Sequence, residues 1–383
     1  MKVRHILSHC LVAILASLLT FFFAVPQQDP GNEKLQELKN IIDAKFVEEY
    51  DETAIYDAAA SGMVDALGNR WSYYIPAAEY SAHMEQMNNA YVGIGVTIVY
   101  REDGYIDIQK VEPGSPAQEA GIQPGDILIG VEGTDVATLT IDEVRNRVRG
   151  EKGTQVQLQL RRGEQTLDVS VYRKEIQTIV ASGTMLEGNV GLVQIVNFDS
   201  RCKEETLAAV EDLLQQGAKA LIFDVRYNPG GYAQEMVAVL DYLLPEGPLF
   251  CSVNYQGRES VDYSDASFLD IPMAVLVNQD SYSAAELFAA ALQEYEAAAV
   301  VGQHTTGKGH YQNTLRLSDG SAVVLSVGRY TTPHGVNLDG VGIAPDVEVL
   351  VEEALYWQIY AGNVPPQEDP QIQAALQVLL EQK

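Results

Sequence analysis

Two serines and a lysine that follow neighbouring apolar segments are the residue types of a nucleophilic hydrolase. Ser281 and Ser283 come after segment 273–278, with Ser283 at the head of a predicted helix, and Lys308 lies between two glycines after segment 297–302. A serine hydroxyl is a weak nucleophile and needs a base to take its proton. Lysine is such a base only when neutral, and lowering its pKa from ~10.4 toward 7 costs about 4 kcal/mol, which burial can supply.

Nearby backbone amides would stabilise the negative oxygen that such a reaction creates. Ala284 presents a backbone N–H at a helix N-terminus, and the adjacent Gly230 and Gly231 expose theirs in a loop after an apolar segment. Gln312, four residues past the lysine, would hydrogen-bond the amine without adding charge. A carboxylate at that position would favour the charged ammonium instead.

The elements that must position these residues indicate an α/β protein. From residue 176 onward, apolar strand segments alternate with helical ones, which predicts βαβ units around a mostly parallel sheet. In such sheets, ligands bind beyond the carboxyl ends of the strands. If segments 273–278 and 297–302 are neighbours, Ser283 and Lys308 leave the sheet at the same edge.

A smaller β-rich module precedes this core, between residues 89 and 175. Its pattern predicts strands over 91–100, 106–111 and 127–131, a helix over 141–148 and a hairpin around 162–164. Helices are predicted near the N-terminus, with Leu35, Leu38, Ile42 and Phe46 along one stripe, and again over 354–383. The predicted organisation is therefore an anchor or signal (1–26), an N-terminal helical region (27–88), the β-rich module (89–175), the catalytic core (176–352) and a C-terminal helical tail (353–383).

The N-terminus carries an export signal or a membrane anchor. Residues 6–25 contain no formal charge and follow Lys2, Arg4 and His5. The stretch exceeds the ~7 to 15 apolar residues of a cleavable signal, which favours a retained single-span anchor with the remainder outside the cytoplasm. Cys202 and Cys251 would then lie in an oxidising compartment, where a disulfide and two separate thiols are both open.

Composition excludes some partners. The chain has 383 residues, 25 Lys and Arg against 53 Asp and Glu, and a formal net charge of −28. A surface this acidic repels phosphate backbones, so nucleic acid is not an expected partner.

Several strings together resemble the carboxyl-terminal processing peptidases, also called tail-specific proteases, over residues 35–350. Residues 277–286 resemble the family's Val-Asn-x-x-Ser-Ala-Ser-Ala-Ser-Glu segment, 305–312 its Thr-x-Gly-Lys-Gly-x-x-Gln segment and 224–231 its Asp-x-Arg-x-Asn-Pro-Gly-Gly loop. The family's nucleophile is the middle serine, 25 residues before the lysine, which selects Ser283 over Ser281. The resemblance implies a Ser283–Lys308 dyad assisted by Gln312, an oxyanion hole from Gly230 or Gly231 with Ala284, and no metal or organic cofactor.

The resemblance also implies an inserted PDZ domain at 89–175. Its carboxylate-binding loop would be Gly93, Ile94, Gly95 and Val96, which would receive the C-terminus of a protein or peptide substrate and gate the active site. Val144 and Val148 would line the side-chain pocket or pack the module's own core; the sequence leaves both open. A homodimer through helices 33–67 or the C-terminal tail is a further expectation.

This chain departs from the family strings at three places, and rival readings remain. Tyr282 replaces an alanine, Ala285 a serine and Asn69-Arg70 an Asp-Pro pair. Residues 302–308 spell most of a phosphate-binding loop, but Gly309 stands where that motif needs Ser or Thr. The alternative from another class is a non-catalytic, PDZ-bearing peptide-binding scaffold. We expect an extracytoplasmic serine endopeptidase that cleaves proteins near their C-termini.

Overall fold

The computed structural model describes residues 30–101 and 103–381, so the predicted anchor or signal (1–26) lies outside the described residues. The chain divides into two units, 1–59 and 60–383. Across the described ranges, no helix is both long and apolar enough to cross a membrane.

The helices, in chain order, are α1 (Pro30–Lys45), α2 (Glu52–Asp65), α3 (Tyr80–Met87), α4 (Pro116–Glu119), α5 (Ile141–Val148), α6 (Cys202–Gln215), α7 (Ala233–Leu243), α8 (Ala284–Glu294), α9 (Glu353–Tyr360) and α10 (Pro370–Glu381). The strands are β1 (Tyr73–Ile75), β2 (Ala90–Gly93), β3 (Val96–Tyr100), β4 (Ile106–Val111), β5 (Ile127–Val131), β6 (Thr134–Asp135), β7 (Gln155–Arg162), β8 (Gln165–Tyr172), β9 (Lys174–Gln177), β10 (Ala181–Leu186), β11 (Val190–Ile195), β12 (Ala220–Asp224), β13 (Gly247–Asn254), β14 (Glu259–Ser264), β15 (Met273–Val277), β16 (Ala298–Gly302), β17 (His310–Arg316), β18 (Ala322–Thr331) and β19 (Val347–Glu348).

In the first unit, one lysine ties α1 to the start of α2. Lys39 Nζ lies 2.6 Å from an oxygen of Asp43 and 3.1 Å from one of Glu52, and it donates to the Tyr50 hydroxyl at 3.0 Å. The predicted apolar stripe is largely exposed in this unit: Leu35 and Leu38 of α1, with Ile41 of the same helix, and Phe46 directly after the helix.

The catalytic core is the predicted α/β sheet, in the order β10-β11-β12-β15-β16-β19. The pairs from β11 to β19 are parallel, and β10 runs antiparallel at one edge. Every residue of β12 and β15 is buried, as expected for strands covered on both faces. The predicted neighbouring of segments 273–278 and 297–302 is confirmed, because β15 pairs with β16.

Successive side chains of these strands point to opposite faces, and different helices cover each face. Leu221, Phe223 and Val275 lie in one core with α6, α7 and α8. Ile222 and Leu276 instead lie in a second core with Ile372, Ala375 and Leu379 of α10. The C-terminal tail, predicted only as helical, is therefore the cover of the second face of the sheet.

A second sheet was not predicted. It runs β1-β18-β13-β14, with β17 also paired to β18. It carries residues from far apart in the chain, since β1 precedes the β-rich module and β18 follows the lysine loop. Cys251 lies on β13 and is a free thiol, as is the buried Cys202 on α6.

The module between residues 89 and 175 has its own sheet, β3-β4-β5-β7-β8, and its own core. The prediction of a single strand over 91–100 is wrong. This segment forms two strands, β2 paired with β9 and β3 paired with β4, and the strand conformation is interrupted between β2 and β3 at Gly95. Gly95 has φ 78°, and a Cβ there would lie 2.4 Å from Cβ of Ser115. Only glycine permits this bend, so the strand cannot continue through it.

Candidate active site

A cleft of about 1380 Å³ opens in the second unit at the carboxyl ends of β12 and β15. It is lined by all six predicted catalytic and oxyanion-hole residues: Gly230, Gly231, Ser283, Ala284, Lys308 and Gln312. The topology brings them together because β12, β15 and β16 are successive parallel neighbours. The loops that follow these strands therefore leave one edge of the sheet.

Ser283 has an unusual backbone conformation directly before α8. Its φ is 61° and its ψ is −122°, which is sparsely populated for a residue with a side chain and costs on the order of 1–3 kcal/mol. The Glu286 carboxylate accepts the Ser283 N–H at 3.0 Å and helps to hold this turn. The strain is of the kind found at functional sites, and it brings the serine to the cleft.

The neighbouring serine has a structural role. Ser281 is fully buried, and its hydroxyl donates to the Val225 carbonyl at 2.8 Å and accepts the Asn278 N–H at 3.0 Å. These bonds hold the loop after β15 against the end of β12. Because this hydroxyl is engaged and shielded, Ser283 is the serine available to a substrate.

Glu286 fastens the lysine loop to the serine turn. Its fully buried carboxylate accepts backbone N–H groups from Gly307 at 2.7 Å and Lys308 at 2.9 Å, and also the hydroxyl of Thr305. Sequence analysis quoted this glutamate within a motif and gave it no role. The spacing Ser-x-x-Glu before an apolar helix is the signal that would have found it.

The Lys308 side chain is buried among apolar and aromatic groups, with a residue exposure of 9 %. Burial lowers its pKa to about 8, the positive charge of Arg70 acts in the same direction, and the negative charge of Glu286 opposes them. An amine with this pKa is partly neutral near pH 8, which is the state that a general base requires.

The Lys308 amine lies over the Trp71 ring. Its Nζ is 4.6 Å from that ring centroid and 5.8 Å from the centroid of Tyr282. Within residues 30–101 and 103–381 no hydrogen bond joins it to Ser283 or Gln312. The amide nitrogen of Gln312 instead donates to the His310 carbonyl at 2.9 Å and to Ser326 Oγ at 3.1 Å.

The three predicted oxyanion-hole residues differ in how their N–H groups are engaged. The Gly230 N–H donates to Asn228 Oδ1 at 2.8 Å. Those of Gly231 and Ala284 have no acceptor among the described residues. Position 230 has φ 89°, and a Cβ there would lie 2.9 Å from the Ala284 nitrogen and 2.7 Å from Ser283 Cβ. Glycine is therefore required for the loop to approach the serine so closely.

Sequence analysis gave Tyr330 no role, and the structure places it beside both Ser283 and Lys308. Its buried hydroxyl donates to the Lys308 carbonyl. Burial and the charge of Glu286 raise the pKa of Tyr330, and hydrogen bonding with Ser283 opposes that rise. Trp71 and Arg70 reach the cleft from before β1, a proximity that no local sequence signal reveals.

The predicted carboxylate-binding loop lies where β2 gives way to β3. Ile94 and Gly95 use their carbonyls to accept N–H groups from Ala117 at 2.9 Å and Glu112 at 3.0 Å. In the described part of the sheet β3 is an edge strand, paired only with β4, so its other edge is open for a peptide strand. Sequence analysis left open whether Val144 and Val148 line the side-chain pocket or pack the module's own core. Val144 is fully buried in that core, and Val148 packs against it.

The alternative of a phosphate-binding loop at residues 302–308 is not supported, because strand β17 and not a helix follows Lys308. After Gly302 the chain runs through an irregular loop to Lys308 and continues as strand β17. A phosphate-binding loop needs a helix N-terminus at that point.

Comparisons with known proteins agree on one family. The model of "Peptidase family S41" matches residues 189–349, and that of a "PDZ domain" matches residues 108–162. The carboxy-terminal processing protease CtpA of Bacillus subtilis is 31% identical over 351 residues, covering 88% of this chain and 75% of that protein. A carboxyl-terminal-processing protease of Synechocystis is 35% identical over 295 residues, covering 75% of this chain and 68% of the other. A solved structure assigned to the S41 proteases, from Bacteroides fragilis, shares the fold with a TM-score of 0.52 at 18% identity, covering 88% of this chain and 93% of that chain.

Proposed function

This chain belongs to peptidase family S41, the carboxyl-terminal processing proteases, with a PDZ domain, and from that premise we propose that it cleaves proteins near their C-termini with a Ser283–Lys308 dyad. One observation supports the dyad: Ser283 and Lys308 line the same cleft, and burial lowers the pKa of Lys308 to about 8. Serine peptidase activity follows from the family; the identity of the base is the proposal.

The proposed reaction begins with a proton transfer. The neutral Lys308 amine takes the proton of Ser283 Oγ as that oxygen attacks the carbonyl carbon of the scissile peptide bond. Lys308 Nζ lies 4.6 Å from the centroid of the Trp71 ring, so the amine must first leave this ring and approach the serine. The carbonyl oxygen of Gln312 would then accept one ammonium hydrogen and hold the side chain in place.

The second part of the reaction releases the product. The N–H groups of Ala284 and Gly231 stabilise the tetrahedral oxyanion, and that of Gly230 joins them only by giving up Asn228. The lysine ammonium returns its proton to the leaving amine as the peptide bond breaks. The same amine then takes a proton from water as the water oxygen attacks the acyl-serine ester. When the bond from the acyl carbon to Ser283 Oγ breaks, the ammonium gives that proton to Oγ, which restores the serine hydroxyl and the neutral amine.

The test of the dyad compares the parent chain with Ser283→Ala and Lys308→Ala on an unstructured protein that ends in apolar residues. We expect both variants to lose cleavage by ~10³-fold or more. Equal cleavage by parent and either variant would refute the assignment of that residue. Binding without cleavage by the parent would support the scaffold alternative.

We further propose that the PDZ domain binds the substrate's C-terminal carboxylate at Gly93, Ile94, Gly95 and Val96 and thereby controls the site. The paired strands β2 and β9 offer a clean test, because Gly93 faces Lys174 in their register. Replacing residues 94–173 by an Asn-Gly turn would close these two strands into a hairpin and leave the core intact. An unaltered cleavage rate in this deletion would exclude gating.

The location and assembly belong to the same proposal. Residues 6–25 would anchor the enzyme by a single span, with residues 27–383 outside the cytoplasm. A homodimer would cover the exposed Leu38 of α1 and the exposed Phe46 directly after that helix. Protease accessibility in intact cells tests the first point. Light scattering of Leu38→Glu against the parent tests the second, because only a dimer formed through α1 would dissociate.

A further inference from the structure

Two cations share the indole ring of Trp71. The Arg70 guanidinium carbon lies 4.2 Å from the ring centroid and Lys308 Nζ lies 4.6 Å from it. The two charges are therefore less than about 9 Å apart, the sum of those two distances. The same ring stacks on Tyr282, with centroids 5.6 Å apart and an interplanar angle of 29°.

We propose that Arg70 is a positioning residue for Lys308. Arg70 acts through the Trp71 ring, through the loop that carries the lysine and through its own positive charge close to the amine. The inference rests on the proposed dyad. Besides stacking on Trp71, Arg70 donates from Nη2 to the carbonyl of Gly307, directly before the lysine, at 3.5 Å. It thus contacts both the surface on which the amine lies and the backbone that carries it.

The charge of Arg70 opposes the stabilisation that the Trp71 ring gives to the ammonium form of Lys308. An indole face attracts cations and favours the ammonium form of Lys308, which cannot act as a base. A guanidinium stays protonated at any working pH, so between the two cations only the lysine can give up its proton. The positive charge of Arg70 accordingly adds to burial in lowering the pKa of Lys308.

The other groups around the lysine do not supply this effect. The charged or titratable residues that face Lys308 and its loop include Arg70, Tyr282, Glu286, Tyr330 and Asp339. The loop also carries His304, whose Nδ1 lies 3.2 Å from the Thr305 carbonyl, and leads into His310, whose Nδ1 lies 3.2 Å from Asp339. Of these, Arg70 is the cation whose charge lowers the pKa of Lys308, and Glu286 favours the ammonium form. Removing Arg70 therefore leaves the lysine with a ring and a carboxylate that both stabilise its charge.

The arrangement belongs to this chain and not to the family string. Residues 67–74 resemble the string Leu-Gly-Asp-Pro-Tyr-Ser-x-Tyr, but Arg70 stands where that string has proline. Proline carries no charge and no side-chain donor, so it can neither stack as a cation nor reach Gly307.

The test measures kcat/KM against pH in the full chain for Arg70→Gln and Arg70→Lys. The acid limb is the pH range in which kcat/KM rises as Lys308 loses its proton. Glutamine removes the charge, and we expect the midpoint of this limb to shift to a pH higher by roughly 0.5–1 unit at low salt, given Coulomb interaction across a partly solvated site. The rate near pH 7 would fall by about 3–10-fold, with a smaller change near pH 10, and the difference would shrink in about 0.5 M salt. Lysine keeps the charge and should keep the position of the limb.

Arg161→Gln is the matched control. Arg161 also lies over an aromatic ring, 5.3 Å from the centroid of Tyr105, and its replacement removes the same charge from the β-rich module. We expect its limb to coincide with that of the parent.

Three results would overturn the inference: a limb of Arg70→Gln that coincides with the parent's, an equal shift in Arg70→Lys, or an equal shift in Arg161→Gln. If Arg70→Gln does not fold, the test uses the limb of Arg70→Lys and the salt dependence of the parent's limb. A shift of the parent's limb to higher pH with added salt supports the inference, and a limb that does not change with salt contradicts it. Retained cleavage in Lys308→Ala would instead refute the dyad itself, so the two failures are distinct.

Discussion

The carboxylate of Glu286 accepts the backbone N–H of Lys308 at 2.9 Å, while the Lys308 amine forms no ion pair in the part of the chain that the structure describes. The glutamate thus fixes where the lysine loop lies without neutralising the lysine. Its oxygens are occupied by the N–H groups of Ser283 and Gly307 and the hydroxyl of Thr305. One buried side chain therefore sets the spacing between the proposed nucleophile and the proposed base.

Replacing Glu286 by glutamine tests this role. The amide keeps the shape but turns one acceptor oxygen into a donor that faces N–H groups, so we expect kcat to fall by at least ~10²-fold and stability by about 2–4 kcal/mol. Glu294→Gln is the control, since Glu294 lies at the other end of α8 and anchors the His334 N–H at 2.7 Å. Loss of stability with little loss of activity is expected there. Similar activity losses in both variants would contradict a specific role for Glu286.

The dependence of cleavage on pH follows from the Lys308 pKa of about 8. The base is the neutral amine, so kcat/KM is expected to rise with pH, reach half its maximum near pH 8 and level off above it. Lys308→Arg should be inactive across this range because a guanidinium does not deprotonate. A pH profile that falls between pH 6 and 8 would contradict a lysine base with the cited pKa of about 8.

The same lowered pKa should cost stability. The pKa falls from 10.5 to about 8 on folding. The unfolded state therefore holds the proton more tightly, and stability decreases as pH falls from about 10.5 to 8 and stays low below that. The penalty below pH 8 is about 3 kcal/mol at ~1.36 kcal/mol per pKa unit.

Lys308→Met removes this penalty and keeps the apolar stem. We expect the variant to be inactive and more stable than the parent by about 1–3 kcal/mol at neutral pH, with the gain shrinking as pH rises toward 10.5. Denaturant unfolding at several pH values checks this. A gain that does not vary with pH would show that the amine is not the source.

Gly230 provides a steric test of the oxyanion loop. A Cβ at this position would lie 2.7 Å from Ser283 Cβ, so Gly230→Ala is expected to displace the serine turn and reduce kcat by at least ~10²-fold. Gly257→Ala is the control: it has a similar positive φ of 75° but nothing within 4 Å of the added Cβ. It should cost only about 1 kcal/mol of stability, from backbone strain. Equal activity in the two alanine variants would mean that the close approach at 230 is not needed.

Local sequence determined much of this protein. The apolar segments before Ser283 and Lys308 specify buried strands, because only continuous apolar side chains suit a sheet covered on both faces. Helix α5 begins and ends where the pattern predicted, and Thr140 and Glu143 form a capping box at its start. The family resemblance and the spacing from Lys308 selected Ser283. The alternation of strands and helices led to the expectation that both residues leave the sheet at one edge, which the pairing of β15 with β16 bears out.

Tertiary structure decided what depends on contacts between distant residues. The placement of the Lys308 amine over Trp71 and the cover that α10 gives the sheet have no local signal, since each joins elements whose approach is set by packing. The second sheet escaped prediction for the same reason, because β1 and β18 are far apart in the chain. The alternation of strands and helices indicates which edge of the sheet a residue leaves, whereas burial and the neighbours that the residue meets there determine its charge state and its partners.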